Sequence, residues 1–221
     1  MNTKDLVIGN IKLKCLVVGR AGTGKTSFAG TFPKPYFFDF DKGMLSLRGK
    51  NVEYDTYEDF AKFVSEWRKK IVDPQYETLV VDSVSSLVEY CQEYVKKLNG
   101  KTDMSLPMWG VMIDQLQALF LSMGKVNKHV VLTAHEQTVQ DGITGEILVL
   151  PLVVGKQLPS QIGMFFDEVY RTQVGKDKDG NPVYQLITRG DTRFAAKSRL
   201  GVLDTKEVPN FSAIMAKIKG V

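Results

Sequence analysis

Apolar and polar positions alternate in two rhythms over the first 135 residues. Ile11–Val18, rich in β-branched residues and leucine and ending at Gly19, predicts a buried strand. Lys25 to about Thr31 predicts a short helix that stops before Pro33. Pro35–Phe40 reads as an aromatic strand. Tyr57–Lys70 places Phe60, Phe63 and Trp67 three and four residues apart, the spacing of one helix face. Glu77–Val81 predicts another buried strand, Ser83–Leu98 and Met108–Met123 two amphipathic helices, and His129–Thr133 a fourth strand. Strands and helices in this alternation predict an α/β fold, a mainly parallel sheet with helices on both faces.

After His135 the rhythm changes. Glu136–Pro159 carries glycines at 142, 145 and 155 among short apolar pieces, the pattern of an irregular loop or hairpin. Phe166–Val174 and Tyr184–Thr188 predict a strand pair around the turn formers of 176–182, and a helix is expected at about Asn210–Lys219. No repeat or linker divides the chain, so residues 1–221 are expected to form a single domain with a β-rich C-terminal extension.

Composition narrows the class without naming an activity. A hydrophobic share of 43% suits a sizeable core and argues against wholesale disorder. The longest apolar piece, Ile147–Val154, is interrupted by Pro151, so no membrane span and no membrane partner are expected. Met1–Leu6 has no apolar core or cleavage pattern, so no secretion signal is expected. Cys15 and Cys91 lie in strand and helix patterns as reduced, packed thiols, and nothing has zinc-site spacing. A cytoplasmic location is the expectation. The net charge of +4 permits a nucleic-acid partner but does not call for one. The basic clusters Arg68–Lys70, Lys96–Lys101 and Lys125 with Lys128 read as solvated helix faces, and Trp109 as core.

Gly19-Arg20-Ala21-Gly22-Thr23-Gly24-Lys25-Thr26 fulfils G-x-x-x-x-G-K-[ST], with a strand before it and a helix after it. Glycines let backbone N–H groups turn toward phosphate oxygens, and the start of the helix adds a favourable dipole. Gly19 to Ser27 are therefore the expected site for a nucleoside triphosphate, ATP with magnesium. Lys25 is the ligand of the β- and γ-phosphates and the Thr26 hydroxyl a magnesium ligand. Thr78-Leu-Val-Val-Asp82-Ser83 is an apolar strand ending in a carboxylate. Asp82 is expected to hold the magnesium, usually through water; helix capping is its other reading.

Beyond these motifs the chain resembles RecA-type ATPases. Their strand after the phosphate loop ends in Asp-x-Glu, and here Phe38-Asp39-Phe40-Asp41 stands in its place. The resemblance makes Asp41 the carboxylate that orients the attacking water, one methylene shorter than in the family, with Asp39 as competitor. His129-Val-Val-Leu-Thr-Ala-His135 resembles the family's next strand, which makes His135 a γ-phosphate sensor; a plain surface histidine is the alternative. Ala196-Lys197-Ser198-Arg199 resembles the Lys-x-Arg of RadA and the ring helicases. There both cations reach a neighbour's γ-phosphate, so Lys197 and Arg199 are expected to complete a site between subunits of a homo-oligomer, ring or filament. A basic edge strand is the other reading.

The order of these motifs over residues 11–201 is similar to compact phage ATPases with a RecA-like core, some of which act in single-strand annealing or recombination. That resemblance implies a RecA-like P-loop core with no separate domain ahead of it, and a host cytoplasm if phage-encoded. It also implies single-stranded DNA as partner, facing the segments near Leu98–Ser105 (with Lys101) and Glu136–Ser160 (with Lys156 and Gln157). Neither segment is strongly basic or aromatic, so no stacking platform is evident. A small-molecule or nucleotide kinase is the rival enzyme, although Glu136–Ser160 lacks the arginines a phosphate lid needs. An ATP-switched annealing module with little hydrolysis and a ring-forming translocase are further readings.

Overall fold

A computed structural model describes residues 11–142, 144–155 and 157–220. Lys156, expected near DNA, and Met1–Leu6 lie outside the described residues. The chain begins with β1 (Lys14–Val18), α1 (Lys25–Ala29), β2 (Pro35–Asp39), a 3-10 turn at Met44–Leu47 and β3 (Glu53–Thr56). It continues through α2 (Phe60–Val72), β4 (Thr78–Asp82), α3 (Val84–Leu98), α4 (Leu106–Lys125) and β5 (His129–Ala134). A hairpin follows, β6 (Glu136–Gln140) and β7 (Ile147–Pro151), then α5 (Leu158–Gln161) and a second 3-10 turn, Ile162–Phe165. Last come β8 (Glu168–Lys176), β9 (Pro182–Ile187), β10 (Lys197–Ser198), β11 (Lys206–Glu207) and α6 (Phe211–Lys219).

The main sheet runs β11-β9-β8-β1-β5-β4-β2-β3, with β10 paired to the start of β8. From β8 to β3 every pairing is parallel, whereas β9, β10 and β11 join antiparallel. This is the expected α/β architecture of a P-loop core with a β-rich extension. The loop-bearing strand β1 and the Asp82 strand β4 are not neighbours; β5 lies between them. The C-terminal ends of β1, β5, β4 and β2 therefore gather the motif residues along one edge.

Alternation along the strands explains the two faces. Leu16, Val18, Phe38, Leu79, Val81 and Leu132 face the core beneath α2, α3 and α4. Their neighbours Cys15, Val17, Phe37, Val80 and Val131 face the opposite core with Phe28 of α1 and Ile214 and Ile218 of α6. Side chains that reverse face at each residue let one strand feed both layers. Phe38 shows how tightly the larger core is filled: the rings of Phe63, Tyr57 and Trp67 lie 5.1, 5.4 and 5.5 Å from its own. Burying such a ring contributes about 2–3 kcal/mol. Asp59 caps α2 by accepting from the Lys62 N–H at 2.7 Å, so the helix starts three residues later than its periodicity suggests.

Two expectations need correction, and one open pair of readings is decided. Glu136–Pro159 takes the hairpin reading: β6 and β7 pair in register from Glu136↔Pro151 to Gln140↔Ile147 as a separate two-stranded sheet. Lys128 is not a solvated cation but is buried, its ammonium donating to the Asp73 carbonyl at 2.6 Å and to that of Tyr76. Lys14 likewise donates to the Val126 and Lys128 carbonyls, and burial pulls its pKa down to about 8. Trp109 packs against the larger core only partly buried. Cys15 and Cys91 are free, buried thiols, as expected. Among the described residues no helix is long and apolar enough to cross a membrane.

Candidate nucleotide site

The phosphate loop leaves β1 at Gly19, whose N–H donates to the Ala134 carbonyl at 3.1 Å. A Cβ at Gly19 would stand 2.1 Å from Thr172 Oγ1, so only glycine fits between β1 and β8. Gly22 and Gly24 have φ of 75° and 90°, the left-handed region that ordinary side chains resist. Thr23 ties the loop together, donating to the Arg20 carbonyl at 2.7 Å and standing 2.6 Å from Thr172 Oγ1. Arg20 and Ala21 are exposed, while Lys25, Thr26 and Ser27 open α1.

Lys25 is buried, and its ammonium donates to the Gly19 and Arg20 carbonyls, each at 2.9 Å. Burial lowers its pKa, against the opposing fields of Asp82, Asp41 and Glu136. The cation is thus ringed by carboxylates but held only by neutral carbonyls, an arrangement that an anionic phosphate would satisfy better.

Asp82 lies between two hydroxyls. Thr26 Oγ1 donates to its Oδ2 at 2.7 Å, and Thr133 of β5 donates to Oδ1. Neither oxygen is spent on capping: Ser83 is the N-cap residue of α3 and makes no side-chain cap bond. The Asp82–Ser83 peptide is cis. Burial raises the Asp82 pKa, the two hydroxyl bonds lower it, and the fields of Asp41 and Asp39 raise it again. A buried carboxylate beside two others and a hydroxyl offers hard oxygen donors and a charge that a divalent cation would relieve. Among the described residues no group of three or more His, Cys, Asp or Glu forms a metal cage. That donor set fits magnesium, which binds through one or two protein groups with water and phosphates completing the shell.

Asp41 and Asp39 separate cleanly. Asp39 is buried at the end of β2 and accepts from the Gly43 N–H at 3.2 Å, organising the turn in which Lys42 takes φ of 56°. Asp41 instead faces β4 and β5. Its Oδ1 accepts from the Ser83 hydroxyl at 3.0 Å and from Ser86, and its Oδ2 stands 3.1 Å from His135 Nε2. His135 is therefore no isolated surface residue, and its own N–H donates to Ser85 Oγ at 3.0 Å.

Lys197 and Arg199 are not brought to this loop. Lys197 pairs with Val169, which pairs with Leu16, three residues before Gly19. At about 3.3 Å per residue and about 4.8 Å per strand, that is roughly 10 Å along the sheet and 10 Å across it. Arg199 Nη1 donates to Asp167 Oδ1 at 2.7 Å and its side chain is 60% exposed.

Sequence reasoning missed Thr133, Ser83, Ser86, Glu136, Arg171 and Tyr184. Glu136 binds Arg20 of the loop and Arg171 of β8, its Oε1 accepting from Arg20 Nε at 3.1 Å and its Oε2 from Arg171 Nε at 2.9 Å. Burial works to raise the Glu136 carboxyl, but the two guanidiniums overcome it and the net direction is down. Tyr184 of β9 walls a cleft of about 570 Å³ beside Gly24, Thr26, Ser27, Ser46, Lys50 and Pro209. Ser83 and Thr133 lay inside strand motifs that assigned them no such role, and Ser86, Arg171 and Tyr184 had no motif; only the strand-end position of Glu136, next to His135, was a signal.

No curated protein sequence is similar enough to match. Among solved structures, the flagellar accessory protein FlaH from Methanocaldococcus jannaschii aligns with a TM-score of 0.48 and 13% identity, over 93% of this chain and 89% of that one. A family model described as an AAA domain matches residues 11–200. With that match and a complete phosphate loop, the chain belongs to the AAA domain family of P-loop nucleotide-binding proteins.

Proposed function

We propose that the chain is an ATPase of RecA-like type that assembles on single-stranded DNA in recombination, annealing or repair. The observation that carries the hydrolytic part is the convergence of Asp82, Asp41 and His135 around Thr26 and Lys25, from three adjacent strand ends. Lys25 would leave the loop carbonyls for the phosphates, and Thr26 and Asp82 would hold magnesium. Bound there, magnesium supplies neutralising charge to the phosphate oxygens. Asp41 is suited to accept a hydrogen bond from the attacking water, and the single N–H of a neutral His135 serves either to orient Asp41 or, turned away from it, to donate to a phosphate oxygen. The purine and sugar fit the cleft beneath Tyr184.

A site between subunits is favoured because Lys197 and Arg199 lie too far from their own loop yet are within reach of solvent. An arginine supplied by a neighbour is worth about 10³–10⁵ in turnover in other P-loop enzymes. DNA as partner rests on the resemblance, and the β6–β7 hairpin that follows His135 directly is the element suited to report its binding. Turnover of ATP with magnesium should be measured over a range of protein concentrations, with and without single-stranded DNA. The proposal expects specific activity to rise with both; equal specific rates throughout would overturn it.

One observation favours a second reading, an ATP-switched binding module. Asp41 is short, and both its oxygens already have partners in Ser83, Ser86 and His135. In that case annealing would depend on nucleotide binding while turnover stayed near background.

A further inference from the structure

Arg20 is held at both ends. Its carbonyl accepts from the Lys25 ammonium at 2.9 Å, and its Nε donates to Glu136 Oε1 at 3.1 Å. Glu136 opens β6, and its side chain is only 6% exposed. Arg171 grips the same carboxylate in a fork, Nε to Oε2 at 2.9 Å and Nη2 to Oε1 at 3.1 Å. The Arg171 guanidinium also lies 4.9 Å over the Phe194 ring. Phe194 in turn bridges to Val149 of β7, whose N–H donates to the Arg193 carbonyl at 2.6 Å. Three residues after Phe194 comes Lys197. One buried carboxylate thus joins the phosphate loop, the hairpin and the strap that carries the two distant cations.

Stability alone does not account for the Arg20 arm. That side chain is 77% exposed, and ion pairs with so open a partner contribute about 0–1 kcal/mol. The Arg171 fork would anchor Glu136 without it. We infer that Glu136 is a positioning residue that transmits occupancy of the phosphate loop to the β6–β7 hairpin and to the Lys197–Arg199 strap. The inference rests on the nucleotide reading proposed above. Without phosphates, Lys25 restrains the Arg20 backbone; a triphosphate competes for that ammonium and frees the Arg20 carbonyl. The Arg20–Glu136 pair carries the resulting shift into β6, and Arg171 with Phe194 carries it into the strap. Coupling of this kind needs both ends to respond to one another, so it is open to direct measurement.

Hydrogen exchange of the full chain, with and without the non-hydrolysable analogue AMP-PNP plus magnesium, tests it. The wild-type chain should show slowed exchange at 19–27 and a change of at least about fivefold within 136–151 and 191–199, the lower end of ordinary coupling factors. Glu136→Gln should keep the protection at 19–27 and lose the distant response. Phe194→Leu, which lies outside the loop and leaves the Glu136–Arg171 fork in place, should keep the responses at 19–27 and 136–151 and lose that at 191–199, and decides the matter if Glu136→Gln folds poorly. A response at 191–199 that survives in Phe194→Leu, or a distant response absent from a wild-type chain whose loop is protected, overturns the relay. No protection at 19–27 in the wild type would instead overturn the nucleotide reading, and the relay with it.

Discussion

Two histidines on one strand show how place decides chemistry. His135, just beyond β5, leans on Asp41, while His129 at the strand's start is buried, its Nδ1 accepting from the Leu13 N–H at 3.0 Å. Burial first, then the fields of Lys12 and Lys14, pull the His129 pKa from 6.5 down to about 4. The folded chain therefore favours the neutral ring. Its contribution is fully present above pH 6.5 and is lost as pH falls through 4, a change of about 3 kcal/mol. Urea unfolding at stepwise pH should show that loss in the wild type, and His129→Gln should flatten it. Identical pH profiles would refute this assignment. At this scale the sequence was informative where a motif sits at a strand end, as with Asp82, Asp41 and His135, or opens the helix after the loop, as with Thr26. It was silent on Thr133, an ordinary strand-interior residue until β5 is known to lie beside β4. It misread Lys128 because a buried ammonium satisfied by carbonyls leaves no local pattern.

At the scale of elements, the β8–β9 hairpin does more than extend the sheet. It delivers Arg171 and Thr172 to the loop and Tyr184 to the cleft, where a Cβ on Gly24 would stand 3.1 Å from the tyrosine ring. Tyr184 is 46% exposed, and an exposed ring flanking the phosphate loop offers a stacking face for a base. Such stacking is worth about 1–3 kcal/mol. Tyr184→Ala should weaken ATP binding by about tenfold or more while leaving inorganic tripolyphosphate unaffected, by calorimetry; Tyr184→Phe should bind as the wild type does. Equal losses for both ligands would place the tyrosine's effect in the loop and not on the base. Periodicity alone predicted the hairpin but not its position, because position depends on which strand β8 joins. β3 escaped notice for a different reason: Glu53–Thr56 is exposed throughout, so it lacks the alternation that marks a half-buried strand.

For the molecule as a whole, the parallel order β8-β1-β5-β4-β2, which reading the strands one by one does not fix, sets the loop, Asp82, Asp41 and His135 on one edge. Lys197 and Arg199 stand apart from that edge, on the far side of β8, with Lys197 level with Leu16 in the middle of β1. The phosphate loop and the Lys-x-Arg are thus about 10 Å apart both along and across the sheet. Under the proposed function the two meet between chains to complete one hydrolytic site. Mixing tests it most directly. A Lys25→Ala chain keeps its cations but not its loop, and a Lys197→Ala/Arg199→Ala chain keeps its loop but not its cations. Each should be nearly inactive alone in ATP turnover, and an equimolar mixture should recover about a quarter of wild-type activity, the share of interfaces that pair an intact loop with intact cations. No recovery from the mixture, or full activity in the chain lacking Lys197 and Arg199, would contradict it.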